Sequence, residues 1–203
     1  MGITGSLWNW FEAYLSTRQQ CVAIGNQLSD LLPVSSGVPQ GSILGPLLFL
    51  IYINDIPSVV NYSSLFLFAD DTKCCRSISR NPDSSLLQKD LSALCTWSSN
   101  WNLTFNDSKC TLLSIRGKNF STTSATYVID DKPVKSVNFQ KDLGIVLTSD
   151  LSWNEHYSHI SAKAYKSLGL IKRIFGNNKQ VSVRKCLYLT LVRSQLGYSS
   201  VIW

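Results

Sequence analysis

Residues 65–71 read Leu-Phe-Leu-Phe-Ala-Asp-Asp, and a second run with strand character, residues 72–78, follows directly. The two runs predict short paired strands with Asp70 and Asp71 at the turn between them. Because the four apolar residues would bury the first strand, the turn would project both carboxylates from a rigid platform. Paired carboxylates suit Mg²⁺, which shares its coordination shell with substrate phosphates, and Mn²⁺ takes similar ligands. An ordinary Asp-rich hairpin turn is the alternative, since Asp is common in turns.

A stretch rich in glycine and proline lies upstream of the acid pair. Residues 36–49 read Ser-Gly-Val-Pro-Gln-Gly-Ser-Ile-Leu-Gly-Pro-Leu-Leu-Phe, which predicts a loop over residues 38–41 and then a helix that Ser42 can cap. The first two glycines allow tight turns and close approach of the backbone to a base pair. Gln40 carries both a donor and an acceptor, which suits minor-groove positions common to all base pairs. A glycine-proline turn with an incidental glutamine is the alternative.

These two stretches, in this order and at this spacing, resemble the signature motifs of reverse transcriptases encoded by non-LTR retrotransposons. The resemblance implies an RNA-directed DNA polymerase that adds dNTPs to a DNA primer and holds the RNA template and the RNA–DNA hybrid. It also implies that Asp70 and Asp71 are catalytic and bind Mg²⁺, with Mn²⁺ as a substitute. Five residues would contact the nucleotide and the template: Pro39, Gln40, Gly41, Phe68 and Ala69. For Phe68, contact with the primer end and a core position both stay open.

Further segments extend the resemblance over essentially the whole chain. Residues 10–22 resemble the segment that precedes the glycine-proline loop in this family. Residues 103–109 resemble motif D, which implies that Lys109 protonates the departing pyrophosphate; a solvated lysine at the start of a strand is the alternative. Leu143 and Gly144 open a predicted strand that resembles the primer grip and would contact the primer or the duplex.

The positive charge of the chain is concentrated in its last quarter. The formal net charge is +6, and residues 151–203 contain eight Lys and Arg residues against Glu155 alone. Strands and helices are mixed up to about residue 150 and only helices are predicted beyond it, so we place a domain boundary there. The resemblance implies a thumb that follows the duplex backbone. Four basic residues would make these contacts: Lys163, Lys166, Lys172 and Arg173. A solvated basic face is the alternative.

Helical and strand periodicity predicts the remaining elements. The predicted helices cover residues 6–15, a segment that starts at 81–83, a segment beyond 155, and residues 181–196. The predicted strands cover residues 20–24, 109–115 and 143–148, with a hairpin through 130–132 and a helix break at 176–178.

The resemblance implies an α+β fold in which residues 1–150 form part of a reverse-transcriptase palm, an antiparallel sheet with packed helices. Residues 151–203 would form the helical thumb, and the fingers are expected to be missing. The family's first catalytic aspartate lies upstream of the segment that residues 10–22 resemble, whereas the first aspartate here is Asp30. We therefore expect the isolated chain to be an incompetent polymerase and residues 65–78 to expose an edge or an apolar groove. A non-catalytic nucleic-acid-binding remnant is the alternative.

The cysteines and histidines do not predict a metal site. The six cysteines include no Cys-x-x-Cys pair, so buried or partly buried thiols in a reducing compartment are expected. His156 and His159 are expected at the surface or half-buried. The longest apolar run, residues 43–53, is about half of the roughly 20 residues that a membrane span needs. Without a signal sequence, we expect a nuclear or cytoplasmic protein with no membrane partner, and the oligomeric state stays open.

Overall fold

The structure of the chain is a computed structural model that describes residues 3–39, 41–117, 125–175 and 180–202. The chain forms two compact units. The first comprises Met1–Ser58 and Leu65–Lys73, and the second comprises Val59–Ser64 and Cys74–Trp203. The predicted helix break at residues 176–178 lies outside the described residues.

The first unit opens with helix α1, Ser6–Leu15, as its apolar spacing predicts. An exposed arm of four short strands follows. In it, β1 (Gln19–Gln20) pairs with β4 (Leu32–Pro33), and β2 (Ala23–Ile24) pairs with β3 (Gln27–Leu28). The strand predicted over residues 20–24 is therefore divided. The division falls where the backbone N–H of Val22 donates to the Ser29 hydroxyl at 2.9 Å instead of to a strand carbonyl.

Helix α2, Gly45–Tyr52, follows the glycine-proline loop. The Ser42 hydroxyl accepts a hydrogen bond of 2.8 Å from the N–H of Gly45, so Ser42 binds the start of the helix as predicted. Beyond a 3-10 turn at Ile56–Val59, strand β5 (Ser64–Phe68) pairs with β6 (Asp71–Cys75). The hairpin with the acid pair at its turn is therefore confirmed.

Helix α3, Asn81–Asn100, belongs to the second unit and begins where the sequence predicts. Its buried face includes Leu87, Leu94 and Trp97, which recur at helical spacing. Asp90 lies on the same face, between Leu87 and Leu94, and is only 1% exposed.

The other strands of the second unit are two to four residues long. They are β7 (Thr111–Leu113), β8 (Val128–Ile129), β9 (Lys132–Pro133), β10 (Lys135–Val137), β11 (Phe139–Asp142) and β12 (Ile145–Thr148). The hairpin predicted through residues 130–132 joins β8 and β9, β11 pairs with β12, and β7 pairs in parallel with β10.

The sheets of the described residues are small and mostly antiparallel, and the palm arrangement that the resemblance implies stays a prediction. Their strands form six separate two-stranded sheets. Four of the six pairs join consecutive strands across a turn, so most strands find their partner locally. Strands this short present few side chains to a neighbouring sheet. The fold of the described residues therefore consists of helices mixed with small, separate sheets.

The helices of the last quarter pack within the second unit. They are α4 (Asn154–Phe175), α5 (Val181–Tyr188), a π-helical turn (Leu189–Arg193) and α6 (Ser194–Leu196). Ala164 and Ile171 of α4 form a core with Val192, and α4 also packs on β12. The two compact units do not divide at residue 150, so the palm–thumb division stays a prediction about function. Among the described residues, none of the helices combines the length and apolar character needed to cross a membrane.

His156 corrects a prediction, because it is fully buried instead of lying at the surface or half-buried. The first turn of α4 lies against β12, and His156 Nδ1 accepts a hydrogen bond of 3.3 Å from the N–H of Val146. Burial lowers the pKa of His156, and the charge of nearby His159 lowers it further.

Candidate active site

The two acidic side chains are exposed at the tip of the β5–β6 hairpin, within the first unit. Asp70 lies in the turn, and Asp71 is the first residue of β6. Ala69 has a φ of 50°, in the left-handed region where a Cβ is crowded, so the turn is tightly bent just before the acids. Neither carboxylate has a hydrogen bond or an ion pair with another described residue. Both residues are exposed to solvent.

The strand that leads to the acid pair is only half covered. Leu65 and Leu67 are partly buried, whereas Phe66 and Phe68 are 54% and 62% exposed. The prediction that all four apolar residues bury the strand is wrong, because successive side chains of a strand point to opposite faces. The exposed apolar face expected on this hairpin is present, and Phe68 is on it instead of in the core.

The acid pair fits a hard divalent cation in ligand type. Mg²⁺ is commonly held by one or two carboxylates, with water and substrate phosphates completing its coordination shell. In the described part of the chain, no group of three His, Cys, Asp or Glu side chains is arranged to hold a metal ion. Asp70 and Asp71 are thus two exposed carboxylates of the ligand type that Mg²⁺ prefers.

The glycine-proline loop is fastened by Ser42 to the start of α2. Ser42 donates from its hydroxyl to the Pro39 carbonyl at 2.9 Å and accepts the N–H of Gly45. Pro39 is buried, and Gly41 has a φ of 77°, which favours glycine. Gln40 lies outside the described residues. The loop and the acid hairpin belong to the same compact unit.

Gly45 is a position of close backbone packing that the sequence patterns did not single out. A Cβ at this residue would lie 2.9 Å from the Pro39 carbonyl oxygen and 3.2 Å from the Ser42 hydroxyl oxygen. Only glycine leaves room for the loop to close on the helix. The Gly45-Pro46 pair could have indicated it, because a glycine directly before a proline at a helix start often marks close backbone approach.

Lys109 lies in the second unit, in the turn before β7. Its side chain is exposed, and its backbone N–H donates to the carbonyl of Asn106 at 3.0 Å. The strand predicted over residues 109–115 is shorter, because the turn occupies its first residues. An exposed ammonium group in a turn is compatible with both the catalytic and the solvated interpretation.

Leu143 and Gly144 form the turn between β11 and β12 and do not open a strand, which corrects the prediction. Their φ values are 45° and 87°, and a two-residue hairpin turn commonly needs two such left-handed residues. Gly144 shares a cavity with Lys163 of α4. Lys166, Lys172 and Arg173 are exposed on the same helix but do not line that cavity.

The cysteines are more exposed than predicted. Three are partly buried (Cys74, Cys95 and Cys110), and three are exposed (Cys21, Cys75 and Cys186). Burial raises the pKa of each partly buried thiol, which keeps those thiols protonated.

Comparison with known proteins assigns the chain to a class. The reverse transcriptase (RNA-dependent DNA polymerase) family matches residues 2–171. That match covers well over half of the sequence, so the chain belongs to the reverse transcriptase family. No solved structure matches it.

Three curated relatives are named as RNA-directed DNA polymerases, or probable ones, from Drosophila melanogaster mobile elements. The chain is 28% identical to the probable RNA-directed DNA polymerase from transposon X-element, over 95% of this chain and 22% of that protein. It is 28% identical to the RNA-directed DNA polymerase from mobile element jockey, over 73% of this chain and 17% of that protein. It is 26% identical to the probable RNA-directed DNA polymerase from transposon BS, over 95% and 22%. The resemblance to reverse transcriptases of non-LTR retrotransposons is therefore confirmed. The chain spans about a fifth of the length of these curated relatives.

Proposed function

We propose that the chain is the catalytic region of an RNA-directed DNA polymerase, with Asp70 and Asp71 as ligands of its divalent metal ions, Mg²⁺ or Mn²⁺. The observation that carries the proposal is the exposed acid pair on a hairpin of a reverse-transcriptase chain. When bound, such ions stabilise the attacking and leaving oxygens of nucleotidyl transfer. The chain itself supplies a tight turn that carries two adjacent exposed aspartates.

The loop around Pro39 and Gly41 would place the incoming dNTP and the template base. Ser42 bridges the Pro39 carbonyl and the first N–H of α2, so the loop has little freedom to move relative to the helix. A rigid backbone lets a bound nucleotide be oriented without an ordering cost at each turnover. Gln40 would read the base pair, while Phe68 and Ala69 would contact the primer end beside the acids.

Lys109 would act as the general acid that protonates the departing pyrophosphate. Its exposed ammonium group is compatible with that role, and motif D supplies the reason for choosing it. A Lys109→Arg substitution keeps the charge but holds its proton far more tightly. In an extension-competent form of the protein, we expect Lys109→Arg to lower kcat while leaving the affinity for dNTP close to that of the wild type.

The second unit would hold the RNA template and the DNA primer as a hybrid. Its α4 carries four exposed basic residues, Lys163, Lys166, Lys172 and Arg173, while Ile160, Ala164 and Ile171 of the same helix are buried. Basic side chains on one helix can follow a phosphate backbone without reading sequence. Residues 151–203 would thus serve as a thumb and residues 1–150 as part of a palm.

A metal-directed cleavage experiment tests the acid pair without requiring turnover. Fe²⁺ can replace Mg²⁺ at carboxylate sites, and with ascorbate and peroxide it cuts the backbone close by. We expect cleavage near residue 70 in the wild-type chain, and we expect Asp70→Asn/Asp71→Asn to abolish it.

Asp130 and Asp131 provide the matched control. They are also adjacent aspartates in a two-residue hairpin turn. Asp130→Asn/Asp131→Asn should leave the cut near residue 70 unchanged. Cleavage of equal strength at both turns, or its persistence in Asp70→Asn/Asp71→Asn, would contradict the metal assignment.

Two adjacent carboxylates alone are few ligands for a two-metal centre. We propose that the 203 residues by themselves bind an RNA–DNA hybrid but extend a primer poorly, since losing a metal ligand costs orders of magnitude in rate. Primer extension on poly-rA at a rate comparable to an intact reverse transcriptase would refute this. Hybrid binding without extension in any longer form of the protein would instead favour a non-catalytic nucleic-acid-binding remnant.

A further inference from the structure

Tyr198 joins the C-terminal segment to the β11–β12 turn of the second unit. Its hydroxyl donates a hydrogen bond of 2.8 Å to the carbonyl of Leu143, 55 residues earlier in the chain. The carbonyl that accepts this bond belongs to a two-residue turn in which both residues have positive φ. The hairpin itself therefore fixes the direction of that carbonyl. The phenol therefore anchors a preformed turn.

Gly144, the second residue of the turn, lies against the ring of Tyr198. A Cβ at this position would lie 3.0 Å from Cε1 of Tyr198, so the aromatic ring lies directly against the glycine backbone. The φ of Gly144, 87°, also disfavours any larger residue. The ring contact and the hydroxyl bond involve separate atoms of one side chain, and both hold the turn to the C-terminal segment.

A cavity of about 270 Å³ lies beside this contact. Its walls come from the β11–β12 hairpin, from α4 and from the C-terminal segment, and six of its lining residues are relevant to binding: Lys141, Gly144, His159, Lys163, Gln195 and Tyr198. Lys141 and Lys163 bring two positive charges to it from different elements. No Asp or Glu is among the described residues that line it. An anion with several acceptor oxygens, such as a phosphodiester, matches this lining.

The π-helical turn contributes to the same arrangement. Leu189–Arg193 has one extra residue per turn relative to an α-helix, which rotates the next residues by about 100° around the helix axis. Val192 within it is buried against Ala164 and Ile171 of α4. The turn therefore both packs the segment and sets the direction in which Gln195 and Tyr198 point.

We propose that Tyr198 is a positioning residue. It holds the Leu143–Gly144 turn against the C-terminal segment, and so keeps Lys141 and Lys163 on one cavity that receives a backbone phosphate of the bound strand. The inference rests on the proposed function, in which the second unit holds an RNA–DNA hybrid. Tyr198 itself is uncharged, but through this positioning it affects the affinity for the hybrid.

The test is hybrid binding by the full chain, measured by fluorescence anisotropy with a labelled RNA–DNA hybrid over a range of salt concentrations. Tyr198→Phe removes only the hydroxyl. We expect its Kd to rise about three- to ten-fold at low salt, the scale of one lost hydrogen bond. We also expect the slope of log Kd against log salt to fall by up to about one, since a phosphate contact is weakened. Tyr62→Phe, the same change on another exposed tyrosine of this unit, should match the wild type.

Gly144→Ala provides a second perturbation of the same contact without touching the hydroxyl. Its Cβ would push the ring of Tyr198 away, so the salt slope should fall as it does for Tyr198→Phe. A merely structural effect would lower the folded fraction and leave the slope of the folded protein unchanged. Thermal unfolding of each variant separates the two effects.

The possible failures are distinguishable. If the wild-type chain does not bind the hybrid at low salt, the proposed function of the second unit fails and this inference fails with it. If the wild type binds and Tyr198→Phe keeps both its Kd and its salt slope, the positioning role alone is overturned. A weaker Kd with an unchanged slope in both variants overturns it as well.

Discussion

Asp83 and Asp90 lie two turns apart on α3, and their carboxylates bind the two chain segments that flank the β5–β6 hairpin. Asp83 forms an ion pair of 3.0 Å with Arg76, which follows β6, and Arg76 also donates to the carbonyl of Tyr62, which precedes β5. Asp90 accepts the N–H groups of Asn61 and Tyr62 at 2.9 and 3.0 Å. Within the second unit, one face of α3 therefore holds these two segments, with both carboxylates ionised.

Asp90→Asn should destabilise the chain by about 1–3 kcal/mol, because the N–H groups of Asn61 and Tyr62 lose a charged acceptor. The burial of Asp90 would raise its pKa, but the donors of residues 61–63 outweigh this and lower it, so the native side chain is charged. Urea unfolding at neutral pH measures the change. Asp131→Asn is the matched control, since Asp131 is exposed in a turn that Asn tolerates. Equal free energies of unfolding for the two variants would contradict the role of Asp90.

His156 predicts that stability falls on mild acidification. Its folded pKa lies below the ordinary value of 6.5, so between the two values the unfolded chain binds a proton that the folded chain does not. The contribution is therefore fully present above pH 6.5 and is lost as the pH falls towards the folded pKa. Protonation of Nδ1 would also remove the acceptor for the N–H of Val146.

Urea midpoints from about pH 7.5 to about pH 5 measure this loss. Asp83 and Asp90 stay ionised in that range, because hydrogen bonds hold the pKa of each below 3.8. His156→Gln should flatten the dependence, while His159→Gln, on the exposed side of α4, should keep most of it. A wild-type midpoint that is constant over the range would contradict the prediction.

Sequence patterns predicted the elements whose signal is long and repeated. Helix α4 was predicted because Ile160, Ala164 and Ile171 recur at helical spacing, and these side chains form its buried face. The sheet arrangement was not predicted, because strands of two to five residues carry too few side chains to specify a partner. Which strands pair then depends on the turns between them and on backbone hydrogen bonds. Backbone N–H and C=O groups are the same in nearly all residue types, so the sequence does not identify the partner.

The same contrast holds at the site. The acid pair and the glycine-proline loop stand in contiguous motifs, so their residues could be named in advance. Asp90 and Tyr198 form hydrogen bonds with backbone groups 28 and 55 residues away. The type of a residue does not indicate which distant backbone group its side chain will bind. The one available hint was a charged residue inside the apolar face of α3, which usually indicates a buried and satisfied carboxylate.

Gly45→Ala should disrupt the loop that precedes α2. The new Cβ would come within 2.9 Å of the Pro39 carbonyl oxygen, which is backbone and cannot rotate away. We expect a loss of about 1–3 kcal/mol, the usual cost of forcing atoms into a packed site. Gly169→Ala is the matched control, because a Cβ there meets nothing within 4 Å and Ala favours a helix interior. Gly169→Ala should therefore stabilise the chain by up to about 1 kcal/mol. Thermal unfolding measures the stability of both variants. If Gly45→Ala and Gly169→Ala change it in the same direction, the predicted clash at Gly45 is contradicted.

Lys172→Ala should weaken hybrid binding in a way that depends on salt. Lys172 is exposed in the last turn of α4, and if it neutralises one phosphate, its loss should lower the slope of log Kd against log salt by roughly 0.9. The effect should be the same for hybrids of different sequence, because backbone contacts do not read bases. Lys89→Ala removes the same charge from the exposed side of α3 and should leave the slope unchanged. If both substitutions lower the slope equally, hybrid binding depends on the net charge of the chain and not on a defined surface of α4.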